Sequence, residues 1–234
     1  MTLLSIVQDV CKKLGSVSVP SVVVGDTSPT TVQMLALLNE QGKILAEEHP
    51  WQELTREVTH TTIAAELQGT VASIMPGFNQ ALYRTIWNRS QQREMAGSIT
   101  PREWQYLKAR TAAGIDLKFR IISNNFYIYP APPAGETIVI EYLTNQWCES
   151  SGGTGQTAFA ADTDVPRLSE LLLTLALEYA YKDTQGMDTT AIINKFTKYR
   201  LIKKSTNVPA PILNAAPPKY VIGGVQIPEY GWGG

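Results

Sequence analysis

Residues 29–63 read PTTVQMLALLNEQGKILAEEHPWQELTREVTHTTI and change period within a few residues. Ser28 is placed to cap a helix, with Pro29 at the first helical position, where a missing N–H costs nothing. An apolar stripe of Val32, Leu35, Leu38, Gly42, Leu45 and Ala46 follows, and Pro50 closes the run. From Trp51 the pattern becomes that of a strand: ELTREVTHTTI (53–63) alternates and is rich in threonine and β-branched residues. A helix that hands over to a sheet in this way defines a chain of mixed class.

Upstream, Leu3, Val7, Val10, Cys11 and Leu14 recur at helical spacing until Gly15 ends the run. Two such helices joined by a loop cannot bury their apolar faces alone. Downstream, residues 81–95 read as extended, a hairpin turning near Asn88. Thr100-Pro101-Arg102-Glu103 has the arrangement of a capping box, with Trp104 and Leu107 as the buried edge of a short helix. LKFRIIS (117–123) and NFYIYPA (125–131), split by a turn at Ser123-Asn124-Asn125, and then TIVIEYLTNQW (137–147), form an expected antiparallel meander. Trp51, Trp87 and Trp104 flank the exchanges between helix and strand patterns and are expected to brace that joint.

A glycine- and serine-rich loop at 150–157 leads back to helices. Asp164 can cap the next one, with Pro166 in its first turn and Leu168, Leu171, Leu172, Leu175, Ala176 and Tyr179 as its apolar face. Gly186 marks a break, and residues 190–204 make a fourth long helix. The expected fold is α+β: a helical bundle from both chain ends, with an inserted antiparallel β module and an extended C-terminal arm. The divisions expected are 1–50 and 151–206 for the two halves of the bundle, 51–150 for the β-rich module and 207–234 for the arm. Prolines 209, 211, 217, 218 and 228 exclude a continuous helix in the arm. Its apolar residues, Tyr220, Val221, Ile222, Val225, Ile227, Tyr230 and Trp232, are costly to leave in water, unlike the polar composition of ordinary disordered tails. They are the candidate interface residues, with YVIGGVQI (220–227) suited to adding a strand to a sheet edge.

The chain has 234 residues, a net charge of −1 and a pI near 6.2, so no global electrostatic attraction to nucleic acid or anionic membrane is expected. No window approaches the roughly 18 apolar residues of a membrane span, and the amphipathic start MTLLSIVQDVCKKLG does not read as a signal peptide. No membrane partner is expected, and synthesis in a cytoplasm is. Cys11 lies on an apolar helix stripe and reads as a small buried hydrophobe; Cys148 reads as a free thiol. Neither belongs to a metal or redox pattern.

Nothing in the sequence looks catalytic, and no metal or cofactor is expected. His49 and His60 read as surface residues, and no nucleophile elbow is present. SGGTGQT (151–157) superficially resembles a phosphate-binding loop but lacks the essential lysine, so it reads as a flexible connector. Asp162 and Asp164 read as cap residues, and the sequon Asn88-Arg89-Ser90 has no secretory context. Lys195, Lys198, Lys203 and Lys204, with Arg200, Phe196 and Tyr199, make the last helix basic; its residues could contact phosphates or simply form a solvated face. Arg84, Arg89 and Arg93 could form a second basic strip, partly balanced by Glu94.

The segments LLSIVQDVCKKLG, VQMLALLNEQGKILAEEHPWQELTRE, PGFNQALYRTIWNRSQQREMAG, TPREWQYLKA and FRIISNNFYIYPAPPAGETIVIEYLTNQW resemble the head-to-tail adaptor (connector) family of tailed bacteriophages, in its tail-tube-A-like form. The resemblance covers residues 3–205, and its most specific pieces are HPWQEL, IWNR and PREW. It implies a structural virion protein of the neck, with about twelve copies in a homo-oligomeric ring. It further implies contact with the portal protein above, a downstream tail or nozzle protein below, and weak non-specific contact with passing DNA. Lys195, Lys198, Lys203 and Lys204 are the candidate channel residues, and the arm is the candidate link to the portal or to a neighbouring copy. Two other classes stay open: another neck, tail-completion or baseplate subunit, and a small nucleic-acid-binding module.

Overall fold

A computed structural model describes residues 1–82, 84–109 and 116–207. Its class is α+β, as the period changes predict. Helix α1 (Leu3–Leu14) starts under Thr2, whose side chain accepts the Ser5 N–H, and stops at Gly15, whose φ of 67° favours glycine. It buries Leu3, Ile6, Val7, Val10 and Cys11. Helix α2 (Pro29–Glu48) buries Thr31, Met34, Leu38, Gly42, Leu45 and Ala46, while Val32 is exposed and Leu35 only half-buried. The helical period explains this correction to the predicted stripe: Val32 lies about 120° around the helix from Leu38, and Met34 only about 40°.

After Pro50 a short 3-10 turn (Gln52–Leu54) feeds β1 (Thr55–Thr61). There follow β2 (Leu67–Thr70), α3 (Val71–Ile74), β3 (Phe78–Ala81), β4 (Trp87–Asn88), β5 (Arg93–Glu94) and α4 (Pro101–Ala109). The hairpin predicted over 81–95 is confined to β4 and β5, which pair Trp87 with Glu94 and Asn88 with Arg93. At α4, Thr100 accepts the Glu103 N–H (3.2 Å), but the Glu103 carboxylate pairs with Lys118 (2.9 Å). Only that half of the capping box is seen among the described contacts. Then come β6 (Lys118–Ile122), β7 (Asn125–Tyr129) and β8 (Thr137–Thr144), joined in the first case by Ser123 and Asn124, both at positive φ. Two adjacent left-handed residues are what a tight hairpin requires.

The expected meander does not form. β6 and β7 pair with β2 in one sheet, while β8 crosses to a second and pairs with β1, β3 and β4. The proline-rich link after β7 carries no strand, and β8 is buried along most of its length, which suits a central rather than an outer position. A third small sheet joins β9 (Cys148–Glu149) to β10 (Gly155–Gln156) and β11 (Val165–Pro166). The glycine-rich loop is thus partly paired rather than a free connector.

Two helices complete the bundle, α5 (Glu170–Thr184) and α6 (Thr190–Asn207). Helix α5 lies at its centre, packed on α1, α2 and α6, and Ser169, not Asp164, stands at its N-cap. Asp164 instead accepts the N–H groups of Ala160 (2.7 Å) and Ala161 (2.8 Å), and Asp162 accepts those of Val23 and Val24. Both carboxylates therefore tie loops together. Leu172, Leu173, Ala176 and Leu177 are buried, Leu175 and Tyr179 half-buried, and Leu171 exposed.

Two apolar clusters result. One joins the four long helices with Trp51, Leu54, Leu143 and Trp147; the other fills the sheets around Phe119, Phe126, Ile128, Ile138 and Ile140. Strand β8 supplies both. Trp147, just beyond it, is fully buried and meets Phe159 edge to face at 4.8 Å. Its Nε1 donates to the Thr157 carbonyl (2.9 Å), and its ring lies on the backbone of Gly42, where any Cβ would overlap it. Of the three tryptophans expected to brace the joint, only Trp51 does so, donating to the Leu45 carbonyl (2.6 Å). Trp104 packs on Tyr127 and Tyr129 within the β region, and Trp87 is exposed.

Gly42→Ala should destabilise the chain by about 1–3 kcal/mol, because a close-packed ring must shift to admit the methyl group. Leu172→Ala should cost about 2–5 kcal/mol. Chemical denaturation measures both, and an unchanged midpoint for Gly42→Ala would show that the Trp147 contact is not tight.

Candidate functional site

The open face of the five-stranded sheet carries Trp87, with 45% of its surface exposed. A shallow cavity of about 250 Å³ beside it is lined by Glu57, Arg84, Trp87, Arg89, Val139 and Glu141. Arg84 forms a two-pronged pair with Glu94 (both 2.7 Å), and Arg89 reaches Glu57 at 3.2 Å. The hydrogen bond from Arg84 holds the Glu94 carboxyl below its ordinary range. The basic strip read from Arg84, Arg89 and Arg93 is thus largely compensated by carboxylates from β1, β5 and β8. Such a surface suits a partner with both signs of charge better than it suits a phosphate backbone.

The four candidate channel lysines do not converge. Lys195 and Lys198 are exposed, whereas Lys203 lies over the Tyr199 ring (5.8 Å) and Lys204 pairs with Glu48 (2.6 Å). Arg200 also reaches Glu48 (3.4 Å) and covers Phe196. This region is the joint between the end of α6 and the end of α2. Asn207 completes it: its Oδ1 accepts the Gln52 N–H (2.7 Å) and its Nδ2 donates to Glu53 (2.6 Å). The end of α6 is therefore fastened to the turn that starts β1.

His49 sits in the same joint, half-buried, its ring 4.8 Å from Trp51 and edge to face with it. Its Nε2 is buried, with no hydrogen-bond partner among the described residues. Burial first, and then Lys204, lower its pKa below the ordinary 6.5. His60 is also half-buried, 3.4 Å from Gln68. Both depart from the expected surface positions because the short turn after Pro50 folds His49 onto Trp51, while Gln68 reaches across to His60.

Helix α6 also shows what periodicity did not single out. Ile192 and Phe196 face the bundle, whereas Leu201 is 59% exposed and Ile202 is 48% exposed. Leu201 lies about 180° around the helix from Ile192, a legible signal in an otherwise polar stretch. With Leu171 on α5, also exposed, these residues leave apolar surface on the outside of the bundle.

Cys11 and Cys148 are free and buried, and burial pushes the Cys148 thiol up to about 12. Among the described residues no group of histidine, cysteine or carboxylate side chains could hold a metal ion, and no helix is long and apolar enough to cross a membrane. The candidate arm residues Tyr220, Val221, Ile222, Val225, Ile227, Tyr230 and Trp232 lie outside the described residues.

An α+β body with compensated charge and apolar helix surface has the character of an assembly component. The chain matches the family described as SU10 adaptor protein over residues 1–209 and belongs to it, a family of bacteriophage head-to-tail adaptors. Membership makes it a structural component of a virion that interacts with other phage head and tail proteins. No curated protein sequence matches the chain.

The His49 environment gives a pH prediction. A histidine whose folded-state pKa is lowered binds its proton more weakly when folded than when unfolded. Its environment therefore favours folding above about pH 6.5 and loses part of that advantage as pH falls from there through the lowered value. The unfolding midpoint should drop between pH 7 and pH 5, and His49→Gln should flatten that part of the profile. An unchanged profile in the variant would assign the drop to other groups.

Proposed function

We propose that this chain forms a homo-oligomeric ring of about twelve copies that joins the portal vertex of a phage head to the tail. It is made in the host cytoplasm and works without catalysis, by repeating one contact around a ring until the sum is effectively permanent. The match to an adaptor family over residues 1–209 carries this reading. Leu201, Ile202 and Leu171 support it, because exposed apolar helix surface is suited to a neighbouring subunit.

In this reading the arm residues Tyr220, Val221, Ile222, Val225, Ile227, Tyr230 and Trp232 dock on the portal or on the next copy. Tyr230 and Trp232 are natural anchors, being large rings with few torsions to freeze. The prolines of the arm lower the entropy lost on ordering. The downstream face meets a tail or nozzle protein. Lys195 and Lys198, being exposed, are better placed than Lys203 and Lys204 for weak contact with passing DNA.

Electron microscopy of the purified chain mixed with its portal tests the reading directly. A cyclic ring seated on the portal is expected; a chain that stays monomeric and never binds portal rings would overturn it. Lys195→Gln with Lys198→Gln should leave particle assembly intact and at most alter DNA retention or ejection. Loss of assembly would show that these lysines make subunit contacts.

A further inference from the structure

Strand β1 is an outer strand of the five-stranded sheet, paired on one side only, with β8. It runs for seven residues without proline, and its register with β8 shows no bulge. The other outer strands among the described residues are shorter: β5, β10 and β11 have two residues each, β2 and β3 have four and β6 has five. Long, regular edges are ready templates for another strand, and proteins commonly blunt them. The direction of the open groups follows from alternation. The Thr62 N–H donates to Glu136 (2.9 Å), while the Thr137 carbonyl turns the opposite way to accept from Arg89 (2.8 Å). Even-numbered residues of β1 therefore bond toward β8, leaving the main-chain N–H and C=O groups of Glu57, Thr59 and Thr61 on the outer side. Among the described residues no main-chain or side-chain hydrogen bond reaches those three N–H groups. Beneath them Val58 is only half-buried against the sheet core, so its flank can take more apolar cover.

We propose that Tyr220–Ile227 of one copy pairs as an added strand with the β1 edge of the next copy. This deepens the ring reading above and rests on it. The occupant follows from where the described chain ends. Asn207 is fastened to Gln52 and Glu53, just before β1 begins at Thr55, so the described chain ends close to the start of this strand. Residues 208–219 then intervene, with prolines at 209, 211, 217 and 218. A proline-rich spacer of that length extends to about 37 Å. The near end of its own β1 lies within two residues of the anchor, and the whole strand is only about 23 Å long. Twelve residues are more than a target beside their root requires and have the reach for one on a neighbouring copy. Tyr220–Ile227 itself has no proline or charge. In extended form it puts Val221, Val225 and Ile227 on one face, suited to the flank of Val58, and Tyr220 and Ile222 on the other. Each copy would thus give a strand to one neighbour and receive one from the other, a head-to-tail contact that a closed ring requires.

Hydrogen exchange on the full-length chain, read at the amides of Glu57, Thr59 and Thr61, tests the pairing. Exchange in the assembled ring should be slower than in dilute monomer by about tenfold or more. Val225→Pro, which leaves the described body untouched, should restore fast exchange at these three positions. A second measurement identifies the donor of the strand. Copies carrying only Thr59→Cys are mixed with copies carrying only Gly224→Cys, which shares the face of Tyr220 and Ile222 opposite Val58, and treated with a short bismaleimide; Cys11 and Cys148 are buried and leave the labelling specific. Linked pairs of chains are expected. Fast exchange in the ring, or protection that Val225→Pro does not change, overturns the proposal. So does linkage found only within a doubly substituted chain, which would place the arm on its own edge. If the ring forms on the portal with β1 unprotected, strand exchange fails and the adaptor reading stands; if no ring forms at all, both fail.

Discussion

The ring of Trp147 lying on the backbone of Gly42 is the contact on which the rest of the fold depends. Strand β8 ends at Thr144, three residues before this tryptophan, so the contact fixes the sheet to α2 directly. Its geometry needs a residue without a side chain on α2, and glycine in a helix interior costs roughly 0.5–1 kcal/mol relative to alanine. A fully buried indole offsets that cost through area removed from water and a satisfied N–H. β8 thereby feeds two cores at once, with Ile138 and Ile140 in the sheets and Leu143 in the bundle.

Around this contact the first helix and the loop that precedes α5 are held together by loop hydrogen bonds rather than by long helical interfaces alone. Asp162 gathers the Val23 and Val24 amides, and the Asp164 carbonyl accepts the first amide of α1, Leu3, at 2.8 Å. Arg167 closes the small sheet by donating to Glu149 and to the Gln146 carbonyl. Buried polar groups that are paired in this way specify one arrangement, since losing a partner leaves the other unsatisfied. Such a body is a firm platform for surfaces that face outward, among them the α6 exterior and the β1 edge.

Local signals carried much of this fold. Gly15 and Pro29 are legible because helix ends obey rules of backbone geometry that involve only neighbouring residues. Ser123-Asn124 is legible for the same reason, as is the alternation of β1. The partner of β8 was not legible, because a strand's neighbour depends on which apolar faces meet across the molecule. Asp164 and Ser169 show the same limit on a smaller scale: both are good cap residues, and only the path of the loop decides which one meets a helix. Among the candidate site residues, the chemistry of Lys204 was visible but its partner was not. Glu48 lies on a helix far away in sequence, and the ion pair exists only because α6 returns to the end of α2.

By itself the sequence determined the α+β class, the positions of the long helices, the absence of a recognisable catalytic motif and the apolar, proline-rich composition of the end of the chain. These follow from periodicity and from the fixed conformational preferences of glycine and proline, which act within a turn or two of chain. Tertiary structure alone decided that β8 leaves the hairpin before it, that Trp147 rather than Trp87 or Trp104 joins sheet to helices, and that β1 is left with an open edge. Those outcomes arise from packing between residues distant in sequence, where shape, burial and hydrogen-bond satisfaction select one pairing among several that local preference allows.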